Sequence, residues 1–301
     1  MFSNPLIRLL VAIPLCGLLV AGTLGAAWLA LGKPNPAAGA VWFQVTKVGD
    51  AEFSGAPDQP FFFLALGNDG RTDADKGLGD AIHVFGVNPA THTATVISVP
   101  RDTQAPSGDK INAYHSLQGL PGIVDQLNKM MGINIQYAIT TNFPGFIAMV
   151  DEIGGIDVNL PVAYTDTQYS GAEFPAGPQH VNGDQALAIS RNRHQWTTGD
   201  IERTQHQATL ILEALAMLRA QNPGDAGTLK LVATLARHVT TENVSTTELF
   251  RLGRLALTID PATVKNIVVP VGSGAGSNLQ LTGDAPSLFA DFADDGILQT
   301  H

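Results

Sequence analysis

Five of the ten arginines in this 301-residue chain, Arg71, Arg101, Arg191, Arg193 and Arg203, fall at loops or element ends rather than inside apolar runs. The chain carries 17 Lys+Arg against 27 Asp+Glu, a formal net charge of -10, so a cluster of guanidinium groups is informative. A planar guanidinium binds phosphate through paired, charge-assisted hydrogen bonds, a geometry that suits a diphosphate. Arg191 and Arg193 would diverge on a regular helix but converge on one anion at a helix end or in an extended segment. The alternative is a solvated face whose salt bridges contribute ~0–1 kcal/mol each. Asp69, in Gly67-Asn68-Asp69-Gly70-Arg71, directly follows one expected strand, and Asp80 precedes the next. Adjacent strands place both carboxylates at one sheet end, where open α/β sheets gather ligands. One or two carboxylates with phosphate oxygens and water form a set that Mg²⁺ prefers. The other reading is that both aspartates cap turn amides beside glycine.

Several chemistries are excluded. The single cysteine, Cys16, allows neither a disulfide framework nor a Cys-based zinc site. The eight histidines form no His-Glu-x-x-His pair, and there is no Gly-x-Ser-x-Gly. Gly272 to Ser277 is glycine-rich but lacks a following Lys-Thr/Ser and a clear helix, so it reads as a turn. The acidic balance opposes a nucleic-acid partner. With 45% hydrophobic and 15% charged residues, the chain can bury a sizeable core.

The elements that must position these groups follow from apolar spacing. Leu9 to Leu31 is an uncharged run long enough to cross a bilayer, with Arg8 before it and Lys33 after it. It reads as an uncleaved transmembrane anchor with residues 1–8 cytoplasmic, the competing reading being a cleaved signal peptide. Residues 32–60 read as a tether with a short strand near Val41 to Val45, and residues 61–301 as the folded, extracytoplasmic part. Phe61 to Leu66 reads as a buried strand, and Ala81 to Val87 with Thr93 to Val99 as a β-hairpin with one wet face. Leu120 to Met131 and Phe143 to Ile153 are helical, with extended segments at Tyr137 to Thr141 and Ile156 to Leu160. Asn182 caps a helix through Arg191, and Ile201 to Ala220 is a long amphipathic helix. Helices near Ala226 to His238 and Thr247 to Leu257 and a strand at Val264 to Pro270 complete an α/β fold, a mixed central sheet covered by helices.

Taken in order, the residues resemble the LytR-CpsA-Psr family of membrane-anchored cell-wall proteins. The resemblance rests on Gly67-x-Asp69-x-Arg71, Pro100-Arg101-Asp102-Thr103, Lys110-Ile111-Asn112-Ala113 and Asn142-Phe143-Pro144-Gly145-Phe146. It continues through Val150-Asp151-x-x-Gly154-Gly155-Ile156-x-Val158, Asn182-Gly183-x-x-Ala186-Leu187, Arg191-x-Arg193 and Gly199-Asp200-x-x-Arg203. It implies an extracytoplasmic, single-pass phosphotransferase that moves a glycopolymer from a polyprenyl-diphosphate carrier onto peptidoglycan as a phosphodiester, assisted by Mg²⁺. By position, Asp69 and Asp80 would hold the metal, while Arg71, Arg101, Arg191, Arg193 and Arg203 would clamp the diphosphate with Gln207 beside them. Asp102 would orient an arginine or take the acceptor proton. Phe143, Phe146, Ile147 and Val150 would line a lipid groove, although as bare sequence they form an ordinary core face. Two positions depart from the family pattern: Leu78 and His206 stand where arginines are usual. These departures favour one alternative, a polyprenyl-diphosphate carrier or sensor; a second, a pyrophosphatase on the same fold, shares all the residues named with the transferase. Transcriptional regulation is opposed by the anchor, the charge and the lack of a helix-turn-helix.

Overall fold

Alternation in the strand Phe61–Asn68 organises the molecule. Phe62, Leu64 and Leu66 enter the main core, while Phe61, Phe63 and Ala65 face the opposite side of the sheet. The structure, a computed structural model, describes residues 43–49, 60–70, 77–221, 239–274 and 276–299. The expected anchor, most of the tether and the expected helix at 226–238 lie outside the described residues. Among the described residues, no helix is long and apolar enough to cross a membrane.

Seven strands form the central sheet: β1 (Phe43–Lys47), β2 (Phe61–Asn68), β3 (Gly79–Asn88), β4 (Thr93–Ser98), β5 (Tyr137–Thr141), β10 (Val239–Glu242) and β11 (Lys265–Val268). Their order is β10-β1-β5-β2-β3-β4-β11, and parallel and antiparallel neighbours alternate irregularly, so the sheet is mixed as expected. Its core face is covered by α2 (Leu120–Met131) and α7 (Ala285–Asp295), through Ile123, Leu127, Phe289 and Phe292. Gly86 is required where α7 crosses the hairpin, because a Cβ there would stand 2.6 Å from the Phe292 ring.

The hairpin β3–β4 corrects one expectation. Neither of its faces is wet: Thr95 and Ser98 are fully buried. Thr95 Oγ1 accepts the Leu298 amide at 3.2 Å, and Ser98 Oγ pairs with His83 Nδ1 at 2.9 Å. Buried hydroxyls with such partners cost little.

The opposite face of the sheet is covered by α3 (Phe143–Glu152), α4 (Gly183–Arg191), α5 (Asp200–Gln221) and α6 (Thr246–Thr258). Asn142 caps α3 by accepting the Gly145 amide at 2.9 Å, and Asn182 forms a reciprocal capping box with Gln185. Helices α3 and α4 pack with β6 (Ile156–Leu160), β7 (Tyr164–Asp166), β8 (Ala172–Phe174) and β9 (Gly177–Val181) around a second core containing Val150, Val158, Tyr164 and Ile189. Gly183 allows the two helices to meet, since a Cβ there would lie 2.8 Å from Ile147 Cα. A small hairpin, β12 (Val271–Ser273) and β13 (Leu279–Leu281), brackets the glycine-rich turn. Helix α1 (Ala113–Gln118) directly precedes α2.

Candidate active site

The side of the sheet bearing Phe63 and Phe85 is not filled by the helices that cover it. A cleft of about 850 Å³ remains. Phe63 and Phe85 stack across β2 and β3 at 4.6 Å and form its floor with Ile139. Phe146 and Met149 of α3, Leu215 of α5 and Leu252 of α6 contribute to its walls. Ile211 to Leu218 of α5 are only partly buried, which is the burial expected of a helix bordering an apolar cavity. Of the four residues read either as groove or as core, Phe143 and Phe146 line the cleft, Val150 lies in the second core, and Ile147 backs onto Gly183.

Polar groups gather where β2 ends and β3 begins. These strands are antiparallel, with Asn68 opposite Gly79, so Asp69 and Asp80 do meet at one sheet end and both line the cleft. Arg101 arrives from the turn after β4, Arg191 from the last residue of α4, Arg193 from the segment after it, and Arg203 and Gln207 from the first turns of α5; all five border the cleft. Helix α4 ends at Arg191 because Asn192 is extended (φ -62, ψ 119). Arg191 and Arg193 are thereby freed from the divergence of a continuous helix.

Arg101 and Arg203 are held in a partly buried ionic network, of which only Arg203 is buried. Arg101 Nη1 donates to Asp80 Oδ1 at 2.9 Å, and Arg101 Nε lies 3.5 Å from Asp200 Oδ1. The same Asp200 oxygen is 2.6 Å from Arg203 Nη2, which also donates to the Asp80 carbonyl at 3.4 Å. Burial disfavours the charge of Arg101, but Asp80, Asp200 and Asp102 outweigh it and hold its pKa above the usual value. Burial dominates at the other two groups, lowering Arg203 and raising Asp200 despite their mutual attraction. Arg203 Nε, Asp200 Oδ2 and Gln207 Oε1 are buried without a hydrogen-bond partner among the described residues. Of these three residues, Arg203 and Gln207 line the cleft, so their polar atoms stand close to its polar end.

Arg191 and Arg193 are different. Neither is held in an ion pair among the described residues. The Arg191 guanidinium lies over the Phe143 ring at 5.3 Å, a cation–π contact that aims it without neutralising it. The Arg193 amide donates to Asp166 Oδ2 at 3.2 Å, which fixes the backbone and leaves the guanidinium to the cleft. Two cations without an ion pair among the described residues therefore border a site whose other two arginines are ion-paired.

The remaining expected residues divide. Asp102 does not line the cleft; its Oδ1 accepts Lys110 Nζ at 2.7 Å, beside Arg101. Gln207 Nε2 donates to the Ser190 carbonyl at 3.0 Å and ties α5 to the end of α4. Asp69 Oδ1 accepts the Leu78 amide at 2.6 Å, so it caps the turn and faces the cleft at once. Arg71 lies outside the described residues. His206 is turned away from the cleft, its ring 5.2 Å from both Tyr164 and Trp196, and burial lowers its pKa. It stays neutral near pH 7 and supplies no charge to the arginine cluster.

Three residues lining the cleft, His83, Tyr169 and His194, were not singled out by the sequence. His83 lies on the floor, with burial and then the Arg203 charge pushing its pKa down to about 3. Asp200, part of the Gly199-Asp200-x-x-Arg203 pattern, does not line the cleft but links Arg101 to Arg203. Tyr169 and His194 stand at the polar rim, and nothing in their spacing announced them.

Asp69 and Asp80 are the residues that would hold a Mg²⁺ ion shared with substrate. Asp69 and Asp80 present oxygen ligands to the same end of the cleft. Among the described residues no cluster of three or more metal-ligating side chains occurs. A hard cation here would complete its shell with phosphate oxygens and water, as Mg²⁺ commonly does.

Residues 42–289 match the model of the LytR_cpsA_psr family. A curated relative from Bacillus subtilis (strain 168), polyisoprenyl-teichoic acid–peptidoglycan teichoic acid transferase TagU, is 33% identical over 210 residues, covering 67% of each chain. The protein of the same name from Bacillus cereus (strain AH820) is 35% identical over 158 residues, covering 51% of each. The matches thus span between half and two thirds of these relatives. The crystal structure of B. subtilis TagV superposes with a TM-score of 0.66 over 79% of this chain and 97% of that one, at 24% identity, which shows a common fold.

Proposed function

This chain belongs to the LytR_cpsA_psr family, and we propose that it takes a glycopolymer from a polyprenyl-diphosphate carrier and joins it to peptidoglycan as a phosphodiester. It is a transferase of the LytR-CpsA-Psr type, in keeping with its curated relatives. The observation that carries the specific reading is the polarity of the cleft: a long apolar trough floored by Phe63 and Phe85 ends at Arg101, Arg191, Arg193 and Arg203. Apolar pockets with a few convergent polar groups select ligands of matching polarity, here an isoprenoid tail with a diphosphate head. Placement of the folded part outside the membrane, tethered by residues 9–31, belongs to the same proposal.

The reaction is a displacement at phosphorus. An acceptor hydroxyl oxygen forms a bond to the phosphorus bearing the glycan, the bond from that phosphorus to the bridging oxygen breaks, and polyprenyl phosphate leaves with the electron pair. The hydroxyl proton passes to water at the rim. Arg191 and Arg193 bind the non-bridging oxygens; Arg101 and Arg203, preorganised by Asp80 and Asp200, meet the charge that grows on the leaving phosphate. Of the two roles implied for Asp102, its placement beside Arg101 fits support of that arginine. Mg²⁺ held by Asp69 and Asp80 would supply further neutralisation of diphosphate oxygens.

The test is incubation of the full chain, in detergent, with a polyprenyl-diphosphate oligosaccharide, a peptidoglycan oligomer and Mg²⁺, followed by mass spectrometry. Phosphodiester-linked glycan and polyprenyl phosphate in equal amounts are expected, with yield falling on chelation of Mg²⁺. Glycan phosphate released to water instead would identify a pyrophosphatase, and bound donor without product a carrier or sensor.

A further inference from the structure

The loop between β7 and β8 lays an aromatic ring beside the arginine cluster. Tyr169, 57% exposed, stacks on the His194 imidazole with ring centroids 3.8 Å apart and planes at 30°. Exposed aromatic rings are normally costly to order, yet this pair is anchored from below. The buried Asp166 carboxylate accepts the amides of Arg193 and His194 at 3.2 and 3.4 Å and pairs with His194 Nδ1 at 3.2 Å. Gln195 adds a second fastening, accepting from the Thr165 amide at 3.0 Å and donating to the Ala163 carbonyl at 2.6 Å. The same carboxylate therefore fixes the backbone of a diphosphate-facing arginine and the underside of the aromatic pair. Both rings line the cleft at its polar end.

We propose that Tyr169, backed by His194, is the platform for the sugar attached directly to the carrier diphosphate. With the tail in the apolar trough and the diphosphate at Arg191 and Arg193, the first sugar leaves the cleft at the rim these residues share. A pyranose presents an apolar face of polarised C–H bonds, which complements the negative face of an aromatic ring, while its hydroxyls remain in water. The platform selects a glycosylated donor over the bare carrier lipid. It rests on the functional reading above and adds a specificity residue to it.

The discriminating experiment measures affinity of the full chain in detergent for two probes, polyprenyl diphosphate and the same lipid carrying a disaccharide. Wild type should bind the glycosylated lipid more tightly. Tyr169→Ala should lose about tenfold on that probe alone, the scale of one aromatic contact, while Tyr169→Phe retains wild-type preference. Unchanged binding of the glycosylated probe by Tyr169→Ala, or equal losses on both probes, would overturn the platform and leave the functional reading standing. Wild type that binds neither probe would overturn both.

Discussion

Replacing Arg191 and Arg193 together with alanine should lower glycan transfer on the order of 1,000-fold or more, with little change in thermal unfolding. The activity loss follows from their position: two cations aimed at the cleft and not neutralised by any ion pair among the described residues. Removing a single preorganised charge-stabilising donor commonly costs ~100- to 1,000-fold, and these two act on one anion. The small stability effect follows from exposure, since Arg191 is exposed, Arg193 is only partly buried, and an exposed cation–π contact contributes ~0.5–1 kcal/mol. Arg101 and Arg203 are unsuitable for this purpose, because removing either leaves the partly buried Asp200 or Asp80 without its partner. Single-turnover assays paired with calorimetry read both quantities. Transfer within tenfold of wild type in a folded double variant would reduce these arginines to surface charge.

The second large effect concerns the far wall of the cleft. Glu248 caps α6 through the Ser245 amide at 2.8 Å and accepts from Tyr137 Oη at 2.9 Å and Lys47 Nζ at 3.3 Å, tying that helix to β5 and β1. Burial alone would raise its pKa, but these donors outweigh burial and bring it from its ordinary 4.5 down to about 2. A carboxylate depressed in the folded state adds stability that is complete above its unfolded pKa and is lost as pH falls toward the folded one. The window here runs from about 4.5 to about 2, and its full depth is ~3 kcal/mol. Glu248→Gln should lose a stabilisation of this order at pH 7 and flatten the stability profile across the window. Because Leu249, Leu252 and Leu255 of the same helix border the cleft, lipid binding should weaken with it. Denaturant unfolding at several pH values measures this. A variant as stable as wild type at pH 7, with the same acid limb, would contradict the network.

Most helices that position the site could be read from the sequence because their signals are local. Leu120 to Met131 has helical apolar spacing ended by Gly132, and Asn182 offers a capping side chain; the structure has both helices with those bounds. Helix α7 was missed although Pro286 in its first turn and left-handed Gly296 at its end were available as signals. Burial of Thr95 and Ser98 was not legible, since their partners are Leu298 and His83, from other parts of the chain. The site divides on the same line. Asp69, Asp80 and the arginines announced themselves by residue type at element ends. The role of Asp200 needed the spatial meeting of Arg101 with α5, and the neutral, outward-turned state of His206 needed its packing against Tyr164 and Trp196. The apolar trough is invisible in sequence, because lipid-facing and core-facing residues on α3 carry the same chemistry.

The proposed function requires one cleft to receive both parts of an amphiphilic donor. It is tested most directly by a crystal structure of the protein with a polyprenyl diphosphate. The tail should lie along Phe63, Phe85 and Ile139, with the non-bridging phosphate oxygens within hydrogen-bond reach of Arg191 and Arg193. A tail bound on another surface, or a diphosphate held away from both arginines, would contradict it.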